Sequence, residues 1–204
     1  MAIISNATTI ADAGAFSVSL GSMVHIKTLT ASASATLRFV HGTDGVVLDS
    51  TYPIYKFEFI NIHPATDGAH LSVNFRDGET AYDATKTTTF FNAYHNEGDS
   101  AAALGYNGTH DLAQSTAFQN ISLAIGADND QATSGTLNLF NPSNTTFVKH
   151  FMSQFSSYEN TDYNTNYFVA GYCNTTTAVD AIQFKMSSGN IDAGKIKLYG
   201  IKDS

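Results

Sequence analysis

Tyr55-Lys56-Phe57-Glu58-Phe59-Ile60-Asn61-Ile62 decides the fold class. From Tyr55 to Phe59 large aromatic residues alternate with polar ones, which is the period of a strand with one face on a core. The phase then slips at Phe59-Ile60, as a single residue inserted at a β-bulge would make it do. The same period of two returns in Leu71-Ser72-Val73-Asn74-Phe75, in Ile182-Gln183-Phe184-Lys185-Met186 and in Ile196-Lys197-Leu198. Residues 36–40, 87–94, 135–140, 147–152 and 167–172 are further short runs rich in β-formers, so the pattern predicts about eight or nine strands.

Turn chemistry separates these runs: Gly42-Thr43-Asp44-Gly45, His63-Pro64-Ala65-Thr66-Asp67-Gly68, Arg76-Asp77-Gly78, Asn107-Gly108, Asn141-Pro142-Ser143-Asn144 and Ser188-Gly189-Asn190. Gly, Asn, Asp and Pro at such positions supply the left-handed or fixed backbone angles that tight turns need. No long 3.6-residue pattern intervenes. The best helix candidate is residues 111–117, one or two turns; residues 160–166 are too polar to bury a face and read as loop. Many short strands with few helices predict an all-β protein, an antiparallel β-sandwich of jelly-roll-like form.

The chain has 204 residues, the length of one domain with enough apolar material to bury a core. Only 14% of residues are charged, while Ser, Thr and Asn together number 59, so the surface is made of hydroxyls and amides rather than ion pairs. A formal charge of −8 with ten Lys plus Arg argues against nucleic acid as a partner, since counterion release needs clustered cations. The N-terminal residues have no basic n-region followed by an apolar run, and nothing approaches a membrane span. The expectation is a soluble chain made in a cytoplasm. Five N-x-S/T sequons, at Asn6, Asn107, Asn120, Asn144 and Asn174, are close to the roughly three that chance supplies in so Ser/Thr-rich a chain and carry no weight.

Residues 2–21 are small and polar, with three scattered Ile, one Phe and no positive charge. They fit an extended N-terminal arm better than a core, which divides the chain into an arm at 1–25 and a single sandwich domain at 26–204. An arm needs a surface to lie on. Ile3, Ile4, Ile10, Phe16 and Leu20 are its candidate docking anchors.

No constellation of catalytic type stands out. Gly189-Asn190-Ile191-Asp192-Ala193-Gly194-Lys195 imitates a phosphate-binding loop, but Ile196 replaces the Ser or Thr that would hold magnesium, and Ile196-Lys197-Leu198 alternates as a strand. It reads as a turn between two strands. No nucleophile elbow occurs. None of His25, His41, His63, His70, His95, His110 and His150 has metal-ligand spacing. His63 and His70 flank a turn around Asp67 and could converge; the plainer reading packs His63 before Pro64 and leaves His70 on the surface. Asp128-Asn129-Asp130 begins like a calcium loop but lacks its later ligands and glycine. Four Glu and fourteen Asp could in principle supply a glycosidase pair, and nothing chooses one. The tyrosines of residues 158–167 suit a subunit interface, or stacking on sugar rings. Cys173, alone, excludes an intrachain disulfide and reads as a small buried hydrophobe. No cofactor and no metal is predicted.

Several blocks resemble a known family. Leu48-Asp49-Ser50-Thr51-Tyr52 through Phe59-Ile60-Asn61-Ile62-His63-Pro64-Ala65-Thr66-Asp67-Gly68 is similar to a β-sandwich module that recurs in structural proteins of tailed phages, particularly those of marine bacteria and cyanobacteria. Lys86-Thr87-Thr88-Thr89-Phe90-Phe91, Asp111-Leu112-Ala113-Gln114-Ser115, Leu139-Phe140-Asn141-Pro142-Ser143, Val148-Lys149-His150-Phe151, Ala170-Gly171-Tyr172, the run from Ile182 to Ile191 and the closing Ile196-Lys197-Leu198-Tyr199-Gly200 resemble the same module in the same order. Together they cover about residues 25–204. The resemblance implies a non-enzymatic virion protein exposed on the particle, a homo-oligomer such as a trimer, whose partners are a major capsid or tail protein. It carries over no catalytic residue. With no coiled coil, β-helix or collagen-like shaft before the blocks, it favours a capsid decoration or cement protein. A tail-fibre or baseplate-tip receptor-binding protein touching host surface glycan is the alternative, and a small carbohydrate-active enzyme the second.

Overall fold

The computed structural model describes residues 22–78 and 80–203, together with the backbone pairing of three short strands before them. Those three, β1 (Ile3–Ser5), β2 (Thr8–Asp12) and β3 (Ala15–Phe16), pair antiparallel with one another in chain order. Of the arm anchors, Ile3 and Ile4 fall in β1, Ile10 in β2 and Phe16 in β3. Their side chains, and Leu20 altogether, lie outside the described residues.

Twelve strands make up the body: β4 (Met23–Thr30), β5 (Leu37–Val40), β6 (Ile54–Pro64), β7 (Ala69–Arg76), β8 (Lys86–Asn96), β9 (Ala102–Tyr106), β10 (Gln119–Ile125), β11 (Thr133–Phe140), β12 (Lys149–Tyr158), β13 (Tyr163–Cys173), β14 (Ala181–Met186) and β15 (Ile191–Ile201). They form an eight-stranded sheet in the order β4-β15-β6-β11-β12-β13-β8-β9 and a four-stranded sheet in the order β10-β7-β14-β5, antiparallel throughout. The two pack face to face as a β-sandwich. Hairpins within one sheet occur only at β8–β9 and along β11–β12–β13; every other connection in the body crosses from one sheet to the other. This is jelly-roll-like wiring.

The stretch Tyr55–Ile62 lies in β6, and the slip comes at Ile60-Asn61, one residue after the expected Phe59-Ile60. Tyr55, Phe57 and Phe59 are buried, Ile60 and Asn61 both face out, and Ile62 is buried again. Asn61 takes a positive φ of 49° and the register against β11 shifts there, the geometry of one extra residue in a strand. Phe57 and Phe59 then meet Phe39 and Phe184 of the opposite sheet, with ring centroids 5.3 Å (Phe39–Phe57), 5.7 Å (Phe57–Phe184) and 5.0 Å (Phe59–Phe184) apart, all edge-on. Phe155 of β12 closes against Phe59 at 4.8 Å. Room for Phe155 comes from Gly135, directly opposite on β11, where a Cβ would sit 2.6 Å from that ring and 2.3 Å from the Gln154 carbonyl.

Several expectations need correction. Residues 111–117 are not helical: Thr88 N–H donates to Leu112 O (2.8 Å), Leu112 N–H donates to Thr88 Oγ1 (2.8 Å), and Lys86 and Ser115 exchange backbone bonds, so the segment runs beside β8. With its backbone groups taken by a neighbouring strand and Gln114 at a φ of 48°, no helical turn forms. The body also has more strands than the pattern predicts. β9 is exposed along its whole length and so shows no period. β10 alternates legibly as Ile121, Leu123 and Ile125, all buried, and β4 pairs with β15 from Met23 onward. Of the Gly189–Lys195 stretch, only Gly189 and Asn190 belong to the turn from β14 into β15, and Ile191–Lys195 are the opening residues of β15 itself.

Candidate functional site

Where β8 and β13 run on past the edge strand β10 of the smaller sheet, their inward side chains lose the opposite sheet and line a cleft of about 650 Å3 instead. From β8 come Asn92 and Tyr94, from β13 Tyr163, Thr165 and Tyr167, and from β7 His70; His110 and Asn107 arrive on the connection after β9. Register explains the convergence, since Asn92 stands opposite Tyr167 and Tyr94 opposite Thr165, and directly opposed residues share a face. Tyr94 and Tyr163 rings meet edge-on at 5.5 Å.

Behind them runs a row of rings. His70 meets His110 at 5.6 Å and 87°, His110 meets Phe90 at 5.7 Å, and Phe90 meets Tyr167 at 5.7 Å. The Tyr167 hydroxyl donates to the Glu159 carboxylate. Burial and that carboxylate hold the Tyr167 phenol well above its ordinary range.

Both imidazoles have a fixed tautomer. The Ala124 backbone N–H donates to His70 Nδ1 (2.9 Å). Asn120 accepts from the Ser72 hydroxyl through Oδ1 (2.8 Å), which leaves its Nδ2 as the donor to His110 Nδ1 (3.0 Å). A nitrogen that accepts carries no proton, so each neutral ring is protonated at Nε2. Burial lowers both histidine pKa values, helped at His70 by His110. A metal would need the Nε2 lone pair that this tautomer lacks, and among the described residues no cluster of three His, Cys, Asp or Glu could hold an ion.

His70 is therefore half-buried in the cleft wall instead of lying on the surface, because Ala124 N–H needs its Nδ1. His63 does not converge with it: its Nδ1 bonds the Gln131 carbonyl at 2.7 Å. Asp67 accepts from Ala127 N–H (3.1 Å) and Asn160 (3.1 Å), so it braces the loop rather than a ligand. Of the tyrosine-rich segment, Tyr163 and Tyr167 enter the cleft, whereas Tyr158 lies beside Glu97, His95 and Asn164 elsewhere.

A second feature is the outer face of β12, β13, β8 and β9. Met152, Phe168, Phe91, Ala93, Tyr106 and Leu104 project from it. Phe91 and Phe168 stack at 4.8 Å with planes 7° apart, and Leu104 is 72% exposed. The outward positions of these four strands include no Asp, Glu, Lys or Arg.

A third lies inside. Lys149, Cys173 and Lys86 stand side by side in one row across β12, β13 and β8, and all three are fully buried. Lys86 Nζ donates to Asn74 Oδ1 (2.6 Å) and Ala84 O (2.7 Å); Lys149 Nζ donates to Phe147 O and Thr175 O at 3.2 Å. Burial lowers the Lys86 pKa to about 8 and pushes the Cys173 thiol up to about 12, so Cys173 is an inert thiol.

Family models, curated proteins and solved structures give no match to this chain. Among the described residues no helix is long and apolar enough to cross a membrane.

Proposed function

We propose that this chain is a non-enzymatic structural protein on the surface of a tailed-phage particle, a decoration or cement protein that meets copies of itself through the outer face of its larger sheet. The uncharged apolar face centred on Phe91 and Phe168 carries the reading. A net charge of −8 opposes association of copies, and this face has no charged residue at the outward positions of its strands, with the Asp111 carboxylate at its rim held by the Tyr106 hydroxyl. Exposed apolar area of this kind marks interaction surfaces. A surface of hydroxyls and amides keeps its properties as salt screens charge. The cleft lining includes a single carboxylate, Glu159, where most glycoside hydrolysis uses a pair, which speaks against the carbohydrate-active-enzyme alternative.

Sedimentation of the purified chain is expected to show an oligomer. Leu104→Asp, at a side chain with little intramolecular packing, is expected to dissociate it by at least about 100-fold, because an unpaired carboxylate at an apolar interface costs several kcal/mol. A wild-type monomer at high concentration would refute the self-association. On particles, antibody label is expected over the head, and a chain lacking residues 1–21 is expected to lose occupancy while keeping the unfolding midpoint of the body. Label confined to the tail end, with soluble protein blocking infection, would replace decoration by receptor binding, the reading that the open cleft favours.

A further inference from the structure

We infer that the cleft between β8, β13 and His110 is a binding site for a neutral saccharide. This goes beyond the particle reading and does not depend on it, since the isolated chain is the object tested.

The polar groups suit a ligand that is rich in hydroxyls and free of charge. His70 and His110 each present an Nε2–H with no bonding partner among the described residues, both Nδ1 atoms being occupied. Protonating either ring would set a donor at Nδ1 against the Ala124 N–H or the Asn120 amide, so both remain neutral donors. Acceptors stand among them: the Glu159 carboxylate, with Tyr167 on one side, and the amide oxygen of Asn92, while that of Asn107 already accepts from Thr109 N–H. A sugar hydroxyl both donates and accepts, and is the group that can use a neutral donor and a carboxylate together. The Tyr94 and Tyr163 rings add apolar faces for the C–H side of a pyranose.

Charge narrows the class. No Lys or Arg lines the cleft, so a sialic acid, a uronic acid or a phosphate would face Glu159 with no countercharge. A quaternary ammonium could use Glu159 and three tyrosine rings as a cage, but it would then point at two N–H donors. The cleft, open to solvent and about 650 Å3 in volume, has room to seat a sugar ring along its wall.

The test is saturation-transfer NMR on the full chain with the methyl glycosides of glucose, galactose, mannose and N-acetylglucosamine, with glucuronate and tetramethylammonium alongside. Transfer to at least one neutral glycoside, and to neither charged probe, is the expected result. Tyr94→Ala and His70→Phe, each first shown to unfold cooperatively, are expected to weaken that binding by tenfold or more. Independently, long-range proton–nitrogen correlation is expected to show both rings protonated at Nε2 and bare at Nδ1. Transfer to no neutral glycoside, preference for either charged probe, binding untouched by both substitutions, or Nδ1-protonated rings would each overturn the inference.

Discussion

Phe184→Ala is expected to cost about 3–5 kcal/mol of unfolding free energy, the range for removing a fully buried phenylalanine from a core that cannot collapse around the gap. Phe184 sits on the four-stranded sheet with no exposed surface and touches Phe57 and Phe59 of the larger sheet as well as Phe39 of its own, at 6.4 Å. Its loss opens the space where the two sheets key together. Neighbouring strands are held in register by backbone bonds on both sides, β5 and β7 for β14, so they are poorly placed to close over the void. For a chain of this size the thermal midpoint falls by roughly 10 °C. Phe184→Leu retains most of the volume and is expected to cost about 1 kcal/mol. Phe147→Ala, at a ring 70% exposed, is expected to stay within about 0.5 kcal/mol. Urea titration of the three variants measures the ranking, and a Phe184→Ala midpoint equal to that of Phe147→Ala would remove the aromatic cluster from its place as the sheet-to-sheet key.

That cluster is legible in the sequence because it depends on local alternation. Phe57 and Phe59 announce an inward face in β6, Phe184 does so in β14, and even the bulge at Ile60–Asn61 leaves its mark as a phase slip. β9 is not legible, because an edge strand exposed on both sides needs no alternation. The helix expected at 111–117 fails for a related reason, since its fate is set by the free backbone groups of β8 and not by its own residues. Nor is the cleft legible. His70 and His110 are forty positions apart, one in β7 and the other on the connection after β9, and their tautomers are fixed by Ala124 N–H and by Asn120, one a backbone group and the other a residue that reads alone as a glycosylation sequon. Tyr163 and Tyr167 are visible as a tyrosine-rich stretch, but only the pairing of β13 with β8 shows which of them face Tyr94 and Asn92.

The buried lysines are the least legible feature, because a lysine in a strand is expected to reach solvent, and they lead to the second large effect. Between pH 7.5 and 10.5, the stability of the wild type relative to Lys86→Met is expected to climb by about 3 kcal/mol. Lys86 titrates near 8 in the folded chain against 10.5 for a free side chain. Below pH 8 both states hold the proton, and the cost of burying the charge is constant. Between 8 and 10.5 the unfolded chain holds a proton that the folded chain has lost, so stability rises with pH; a shift of about 2.5 units corresponds to about 3 kcal/mol. Cys173 works in the other direction. Its thiol, raised from 9.0 to about 12, stays protonated in the fold after the unfolded chain has ionised, so it lowers stability above pH 9, and Tyr55, raised to about 12 by burial, does the same above 10. The wild-type profile should accordingly rise from pH 8 and bend over, while Lys86→Met should lose most of the rise and keep the decline. Lys149, also lowered by burial, leaves a smaller rise in that variant. Subtracting the two profiles cancels the phenol contribution of Tyr55, and the difference curve reports the Lys86 ammonium together with its coupling to the adjacent Cys173 thiol. Urea midpoints taken at half-unit pH steps with an unchanged m-value give that curve, and two parallel profiles would mean that Lys86 keeps its ordinary affinity for the proton inside the sandwich.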